Sequence, residues 1–224
     1  MRKKALLSWS SGKDSAWALH LLRRRAEVEI VGLLTTVNEI ADRVAMHAVR
    51  SELLRAQGAA AGLPVHALGI PSPCSNEQYE AVMAAAVERA RAAGITAIAF
   101  GDLFLEDIRR YREEKLAGTG IEPLFPLWGI PTDHLAREMI AGGLRARLTC
   151  VDPKQLAPSF VAREFDSALL GDLPLGVDPC GERGEFHTFA YAGPMFDEPI
   201  AIHDGEVVTR DGFVFADLLP AGPK

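Results

Sequence analysis

The strongest constraint on the fold lies in the first hundred residues, where short apolar, β-branched runs take turns with helical patterns. Residues 5–8 are an apolar run that stops in a Ser/Gly-rich turn, and residues 15–25 read as a helix with apolar Trp17, Leu19, Leu21 and Leu22. Residues 29–36 suit a buried parallel strand. Residues 43–61 read as a helix, stopped by Gly62-Leu63-Pro64. Residues 65–70 form a further strand before the turn at Pro71 and Pro73, and residues 77–93 form an Ala-rich helix with Gly94 as its C-cap. Residues 95–100 are the next strand, ending at Gly101-Asp102. This order predicts an α/β fold: an open parallel sheet with helices on both faces. Ligands of such sheets sit beyond the carboxyl ends of the strands. Residues 10–15, residues 35–38 and Gly101-Asp102 all follow strand ends, so they are expected to gather along one edge.

After Asp102 the rhythm changes. Residues 106–116 are a strongly charged helical stretch, and residues 122–128 are apolar and interrupted by proline. Residues 132–141 read as a helix with Thr132 as its N-cap, and residues 145–151 alternate like a strand. The remainder is rich in Gly and Pro, with short β signals at 185–191, 200–203 and 206–208. A soft boundary near Leu127 divides a first domain, 1–127, from a smaller α+β substrate-binding region, 128–224.

Composition removes several classes of function. Hydrophobic residues make up 48% of the 224, which excludes bulk disorder, because disordered chains lack the apolar surface to offset chain entropy. No run approaches the roughly 20 apolar residues of a membrane span. The basic start Met1-Arg2-Lys3-Lys4 could open a leader peptide, but Ser8, Ser10, Lys13 and Asp14 interrupt the apolar stretch that would have to follow. Cys74, Cys150 and Cys180 show no CxxC pairing, which fits a reducing cytoplasm and offers no zinc or iron–sulfur framework. With 24 basic against 30 acidic residues the net charge is -6, so nucleic acid is disfavoured as a partner, since binding it draws on a basic surface.

The segment from Leu6 to Ser15 is the most informative. It is not a Walker A loop: Leu7 stands where the first glycine belongs and Asp14 where the magnesium-binding hydroxyl belongs. It offers hydroxyls at Ser10, Ser11 and Ser15, close backbone approach at Gly12 and a mobile cation at Lys13, all at a helix start that favours a phosphate. The plainer alternative is a capped helix, with Asp14 or Ser11 satisfying its first turn. Residues 10–15 resemble the S-G-G-x-D-S pyrophosphate loop of the adenine nucleotide alpha-hydrolase superfamily, with Ser11 in place of one glycine. The resemblance implies a Rossmann-like sheet and cleavage of ATP between its α and β phosphates.

A second signature lies far downstream. Cys180-Gly181-Glu182-Arg183-Gly184-Glu185-Phe186-His187-Thr188-Phe189 places two carboxylates on one Gly-rich turn. Such a pair suits magnesium, ammonium or proton transfer; a hairpin with solvated acids is the plainer alternative. The segment resembles the C-G-E-x-G-E-[FY]-x-T element of the diphthine–ammonia ligase family. Gly101 to Leu105, Asp107 to Glu114, Pro126 to Trp128 and Gly193 to Phe196 are similar to that family too, in chain order. His187 departs from the acidic residue that eukaryotic members often carry. The resemblance implies a ligase that adenylates a carboxylate with ATP and Mg2+ and amidates it with ammonia, on a substrate that need not be diphthine.

On that resemblance, Ser10, Ser11, Gly12 and Ser15 are expected to hold the phosphates, Lys13 to neutralise the departing pyrophosphate, and Asp14 to help hold magnesium. Leu33, Leu34 and Thr35 are expected to meet adenine, with His47, Gly101 and Asp102 nearby. Arg110, Arg112 and Glu114, with Gly181, Gly184 and Thr188, form the expected acid-binding set; the alternative for the arginines is a charged helix face. Glu182 and Glu185 are expected to position ammonia or take its proton, and His187 to act as a base near neutral pH. Cys180 reads as packing. A tRNA-modifying enzyme of the same superfamily and a non-catalytic ATP-sensing module are the other functional readings, and the oligomeric state stays open, a homodimer among the options.

Overall fold

In the computed structural model, residues 2–38, 43–44 and 49–221 are described. Five strands run parallel in the order β4, β2, β1, β5, β6: β1 is Lys3–Ser8, β2 Val28–Asn38, β4 Val65–Ile70, β5 Ala97–Ala99 and β6 Glu122–Leu124. The two-residue β3, Arg43–Val44, pairs antiparallel with the end of β2. The fold is therefore α/β, with a mixed and mostly parallel sheet, as the alternating pattern predicts. The chain builds outward from β1 through β2 to β4, then crosses back to β5 on the other side. The crevice between β1 and β5 is thus the place where strand order reverses, the usual ligand position in open α/β sheets.

Side-chain alternation along the strands assigns the two faces. Ala5 and Leu7 of β1, Leu33 of β2 and Ala97 and Ala99 of β5 join one core cluster; Leu6, Leu34 and Ile98 join another on the opposite face. The first cluster takes in α1 (Lys13–Arg25), α2 (Ser51–Ala60) and α5 (Thr132–Ala141); the second takes in α3 (Asn76–Ala92) and Leu116 from α4 (Glu106–Leu116). The first cluster continues into a second sheet, antiparallel in the order β8, β7, β10, β9. Its strands are β7 Arg145–Val151, β8 Phe186–Ala192, β9 Ile202–Arg210 and β10 Phe213–Pro220. The short helix α6, Ser167–Asp172, lies between β7 and β8 in sequence. Among the described residues no helix is long and apolar enough to cross a membrane.

Several elements differ from the sequence expectation. The helix expected over 43–61 shrinks to α2, because Val44 pairs with Val37 and Arg43 and Arg50 reach Asp217 on β10, an arrangement no helical period encodes. The Pro-interrupted stretch at 122–128, not assigned as a strand from sequence, opens with β6; this strand lies at the sheet edge, where the missing N–H of Pro123 is tolerated. Thr132 is not the N-cap of α5. Pro131 holds that position, and the Thr132 hydroxyl donates to Asp178 Oδ2 at 2.7 Å. The signals at 200–203 and 206–208 belong to one strand, β9, which pairs with β10 across a bulge; β10 itself is not anticipated by the sequence reading.

Leu7, fully buried in β1 between α1 and its neighbouring strands, tests how far this layer depends on packing. Truncation to Leu7→Ala is expected to lower unfolding stability by about 2–5 kcal/mol, read from the urea midpoint at unchanged m-value.

Candidate functional site

The turn after β1 is held in place from three directions. Ser11 takes a left-handed backbone conformation at φ 70°, where a Cβ is strained. Its carbonyl accepts hydrogen bonds from Gln57 Nε2 at 2.9 Å and Ala190 N at 2.9 Å. Gln57, fully buried on α2, also donates to the Ala190 carbonyl at 2.7 Å and accepts from Trp9 Nε1 at 2.8 Å. The amide of Lys13 donates to Thr188 Oγ1 at 3.1 Å. Gly101 at the end of β5 packs so closely that a Cβ there would lie 3.1 Å from Ser15 N and 3.2 Å from Asp14 C. Gly12, the N-cap of α1, supplies no side-chain cap; Thr188 Oγ1 takes the Lys13 amide instead, and the helix start borders the crevice through Gly12 to Ser15. The Ser15 hydroxyl donates to the Gly12 carbonyl at 3.0 Å and lies 3.3 Å from Ser10 Oγ.

Lys13 is not the mobile cation the sequence suggests. It is 2% exposed, and its ammonium donates to Asp14 Oδ2 at 2.8 Å and to the Cys180 carbonyl, with the Phe165 and Phe186 rings each 5.5 Å away. Desolvation pulls its pKa down, but Asp14 and the other anionic neighbours outweigh it, and the group stays a cation with a raised pKa.

Glu182 and Glu185 part company. Glu182 lines the cleft, accepting from Leu103 N at 2.9 Å, and burial pushes its carboxyl up to about 7; Asp14 and Asp102 add to the rise, while the Leu103 hydrogen bond and Lys13 oppose it. Glu185 is buried and turned into its own loop, accepting from Asp178 N and Arg183 N at 2.9 Å each. Asp178 completes that loop by accepting from Cys180 N at 2.8 Å, an Asx-type turn. Gly181 has φ 69°, and a Cβ there would lie 2.8 Å from the Phe186 carbonyl. Gly184 also has positive φ, with open space around it. His187 lines the cleft half-buried; burial, and secondarily Lys13, push its pKa down to about 4, so it is neutral at pH 7 rather than poised there. Cys180 is buried with its thiol pKa pushed far up by desolvation, in keeping with a packing role.

The arginines expected to act together also separate. Positions i and i+2 of a helix face different ways. Arg112 lines the cleft, stacked 4.8 Å from the Phe100 ring centre and 3.5 Å from Asp102 Oδ2, whereas Arg110 and Glu114 are exposed. Burial raises the Asp102 pKa, against the pull of Arg112.

Two adjoining clefts share Ser8, Ser10, Phe100 and Arg112. One, of about 270 Å³, runs from Ser10–Ser15 past Gly101-Asp102 to Gly181, Glu182, His187 and Thr188. The other, of about 450 Å³, lies over the ends of β1, β2 and β4 and is lined by Trp9, Leu34, Thr35, Ile70 and Tyr79 among others. Leu33 does not reach it; its side chain is fully buried in the core. His47 lies outside the described residues. Buried atoms without a hydrogen-bond partner include Asp14 Oδ1 and Asp102 Oδ2, on residues of the first cleft, and Ser11 Oγ; Ser11, expected to hold phosphate, is fully buried and lines neither cleft. Among the described residues no three His, Cys, Asp or Glu side chains are grouped to hold a metal ion by themselves.

The sequence reading missed Trp9, Gln57 and Asp178. Gln57 had a usable signal, since it sits on the buried face of α2 with Leu53, Leu54 and Ala60, and an amide there needs partners. Asp178 had the weaker signal of an Asp two residues ahead of Cys180 in a Pro/Gly-rich turn.

Residues 1–121 match the family model described as the diphthamide synthase N-terminal domain, and residues 131–216 match the diphthamide synthase C-terminal domain. The chain belongs to this family. Over 122 residues it is 34% identical to a diphthine–ammonia ligase of Mus musculus, covering 51% of this chain and 45% of the relative. Over 121 residues it is 34% identical to one of Danio rerio, covering 51% and 47%, and over 120 residues 31% identical to one of Homo sapiens, covering 51% and 45%. The match thus spans less than half the length of these curated relatives.

Two measurements test this local physics. A glycine at position 11 removes both the left-handed strain and a buried, unpartnered hydroxyl, so Ser11→Gly is expected to gain about 1 kcal/mol in urea unfolding after allowance for glycine's extra chain entropy. Because the folded-state pKa of Glu182 is raised, its ionisation disfavours the folded state between pH 4.5 and about 7. The fall in stability from pH 5 to pH 8 is therefore expected to be smaller in Glu182→Gln than in the parent.

Proposed function

We propose that the chain is an ATP-dependent, AMP-forming amide ligase that activates a carboxylate by adenylation and transfers the acyl group to ammonia. The observation that carries this reading is the shared cleft, which the start of α1 and the Glu182 turn line together. A helix start rich in hydroxyls suits a polyphosphate, and the adjoining cleft over β1, β2 and β4 has the depth and mixed lining for an adenosine.

In this reading Ser10, Gly12 and Ser15 bind the phosphates, Ser11 shapes the turn that carries them, and the backbone near Leu34 and Thr35 meets the base. The free Asp14 oxygen fits a Mg2+ ion that would take its remaining ligands from phosphate oxygens and water, the usual habit of that ion. Mg2+ supplies charge neutralisation on the leaving pyrophosphate. Lys13 positions rather than migrates: its ammonium fixes the Cys180 carbonyl, and so the Glu182 turn, against the phosphate loop. The acid's carboxylate oxygen attacks the α-phosphorus and pyrophosphate departs. Ammonia then attacks the acyl carbon and AMP leaves. Glu182, with a pKa of about 7, is matched to removing the proton that converts ammonium to the attacking ammonia. His187 stays neutral and offers a hydrogen bond rather than a charge.

The relatives are diphthine–ammonia ligases; for this chain a panel of acids identifies the carboxylate. Pyrophosphate release across a panel of carboxylic acids, with ATP and ammonium, tests the reading. Glu182→Gln is expected to lower amide formation at least 100-fold, while hydroxylamine, which needs no deprotonation near neutral pH, still captures the activated acyl group. Absence of acid-dependent pyrophosphate release from the parent protein would show that the ligase reading is wrong.

A further inference from the structure

A third cavity, of about 160 Å³, opens between α3 and α4 beside the nucleotide cleft. Its floor is Ile98, Phe100 and Leu116, and its walls include Met83, Val87 and Tyr111. Phe100 and Arg112 line this cavity and both clefts described above, so they stand at a three-way junction. The long axis follows the helices. Tyr79 and Met83 are shared with the nucleotide cleft, whereas Val87 and Glu88 belong to the far end, roughly 13 Å from Tyr79 at 1.5 Å per helical residue. At its rim Lys115 pairs with Glu80 at 2.7 Å, which leaves the interior without a net charge of its own.

Arg112 at the neck lacks a full set of partners. Its Nε is buried without a hydrogen bond, and within the described residues its polar neighbour is Asp102 Oδ2, too distant at 3.5 Å to satisfy that N–H. The rest of the side chain is partly exposed where the pocket opens, and a partly exposed guanidinium above an apolar pocket is complementary to one chemical class: a carboxylate attached to an apolar body. The volume is close to that of an engineered cavity of roughly 150 Å³ that binds benzene, so it accommodates one phenyl ring or a short branched alkyl group.

We propose that the pocket between α3 and α4 is an acid subsite, which binds small monocarboxylic acids by their aromatic or branched aliphatic tails and presents the carboxylate to Arg112. The use of that acid as the acyl donor rests on the ligase reading; the binding itself does not. The carboxylate end sits where the pocket joins both clefts, and the tail points away from them toward Leu116 and Val87. This orientation also keeps the acid's charge from Glu88 at the far end.

Calorimetric binding to the full chain tests this with hydrocinnamate and benzoate, acetate as the control without a tail, and benzyl alcohol as the control without a charge. The subsite is expected to bind the two aromatic acids at least tenfold more tightly than acetate. Arg112→Gln is expected to reduce that preference for acid over alcohol. Ala84, an exposed residue at the rim, can be replaced without touching the core. Ala84→Trp is expected to weaken hydrocinnamate binding at least tenfold while ATP affinity stays within twofold. Equal affinity for acetate and the aromatic acids, or unchanged hydrocinnamate binding in Ala84→Trp, overturns the subsite. Pyrophosphate release with acids that bypass the pocket would leave the ligase standing and the subsite refuted. Acid binding in the pocket without any acid-dependent pyrophosphate release would do the reverse.

Discussion

The burial of the Lys13 ammonium is the constraint on which the site depends. A desolvated cation is tolerable only where other groups replace its water, and here these are the Asp14 carboxylate, the Cys180 carbonyl and the faces of Phe165 and Phe186. All but Asp14 come from beyond residue 160, so the first turn of α1 can form its own electrostatic environment only when the C-terminal region has docked. The two Thr188 and Ala190 contacts to the same turn act in the same direction. The crevice between β1 and β5, which every open sheet of this topology possesses, is thereby given a second wall that carries Glu182.

That wall is built by carboxylates of two kinds. Glu185 spends both oxygens and Asp178 its Oδ1 on backbone amides of the 178–185 loop, with Asp178 Oδ2 tied to the Thr132 hydroxyl, and they are what allows a Gly-rich turn to hold one shape. Glu182 keeps one oxygen outside such bonds and lies among Asp14 and Asp102 in a desolvated cleft, so its proton is held to about pH 7. The same loop thus contains a structural acid and a titrating acid three residues apart. Their types are identical and their environments opposite.

This division marks the limit of what the chain discloses before folding. Four of the parallel strands, β1, β2, β4 and β5, are legible as short apolar runs, and the edge where Ser10, Thr35 and Gly101 meet follows from topology alone. The loop 10–15 was legible by its pattern. The separation of Arg112 from Arg110 was legible in principle, since helical geometry forbids i and i+2 from sharing a face. What was not legible depends on pairings distant in sequence. Nothing near residue 43 announces Asp217, nothing near Lys13 announces the Cys180 carbonyl, and β9, mostly exposed, carries too little buried alternation to declare its full length.

Ser11 shows why the departure from a glycine at the loop is informative rather than incidental. A residue held at φ 70° with its hydroxyl buried and unpartnered is costly in the absence of a compensating contact, and two hydrogen bonds to its carbonyl from Gln57 and Ala190 are what hold the backbone there. The hydroxyl itself gains nothing from those bonds. Ser11 is fully buried and lines neither cleft, whereas Asp14 Oδ1 and Asp102 Oδ2 belong to residues that line the first one. Two unmet carboxylate oxygens from two different strand ends, on residues that line one crevice beside a helix start, suit the counter-cation of the proposed polyphosphate ligand.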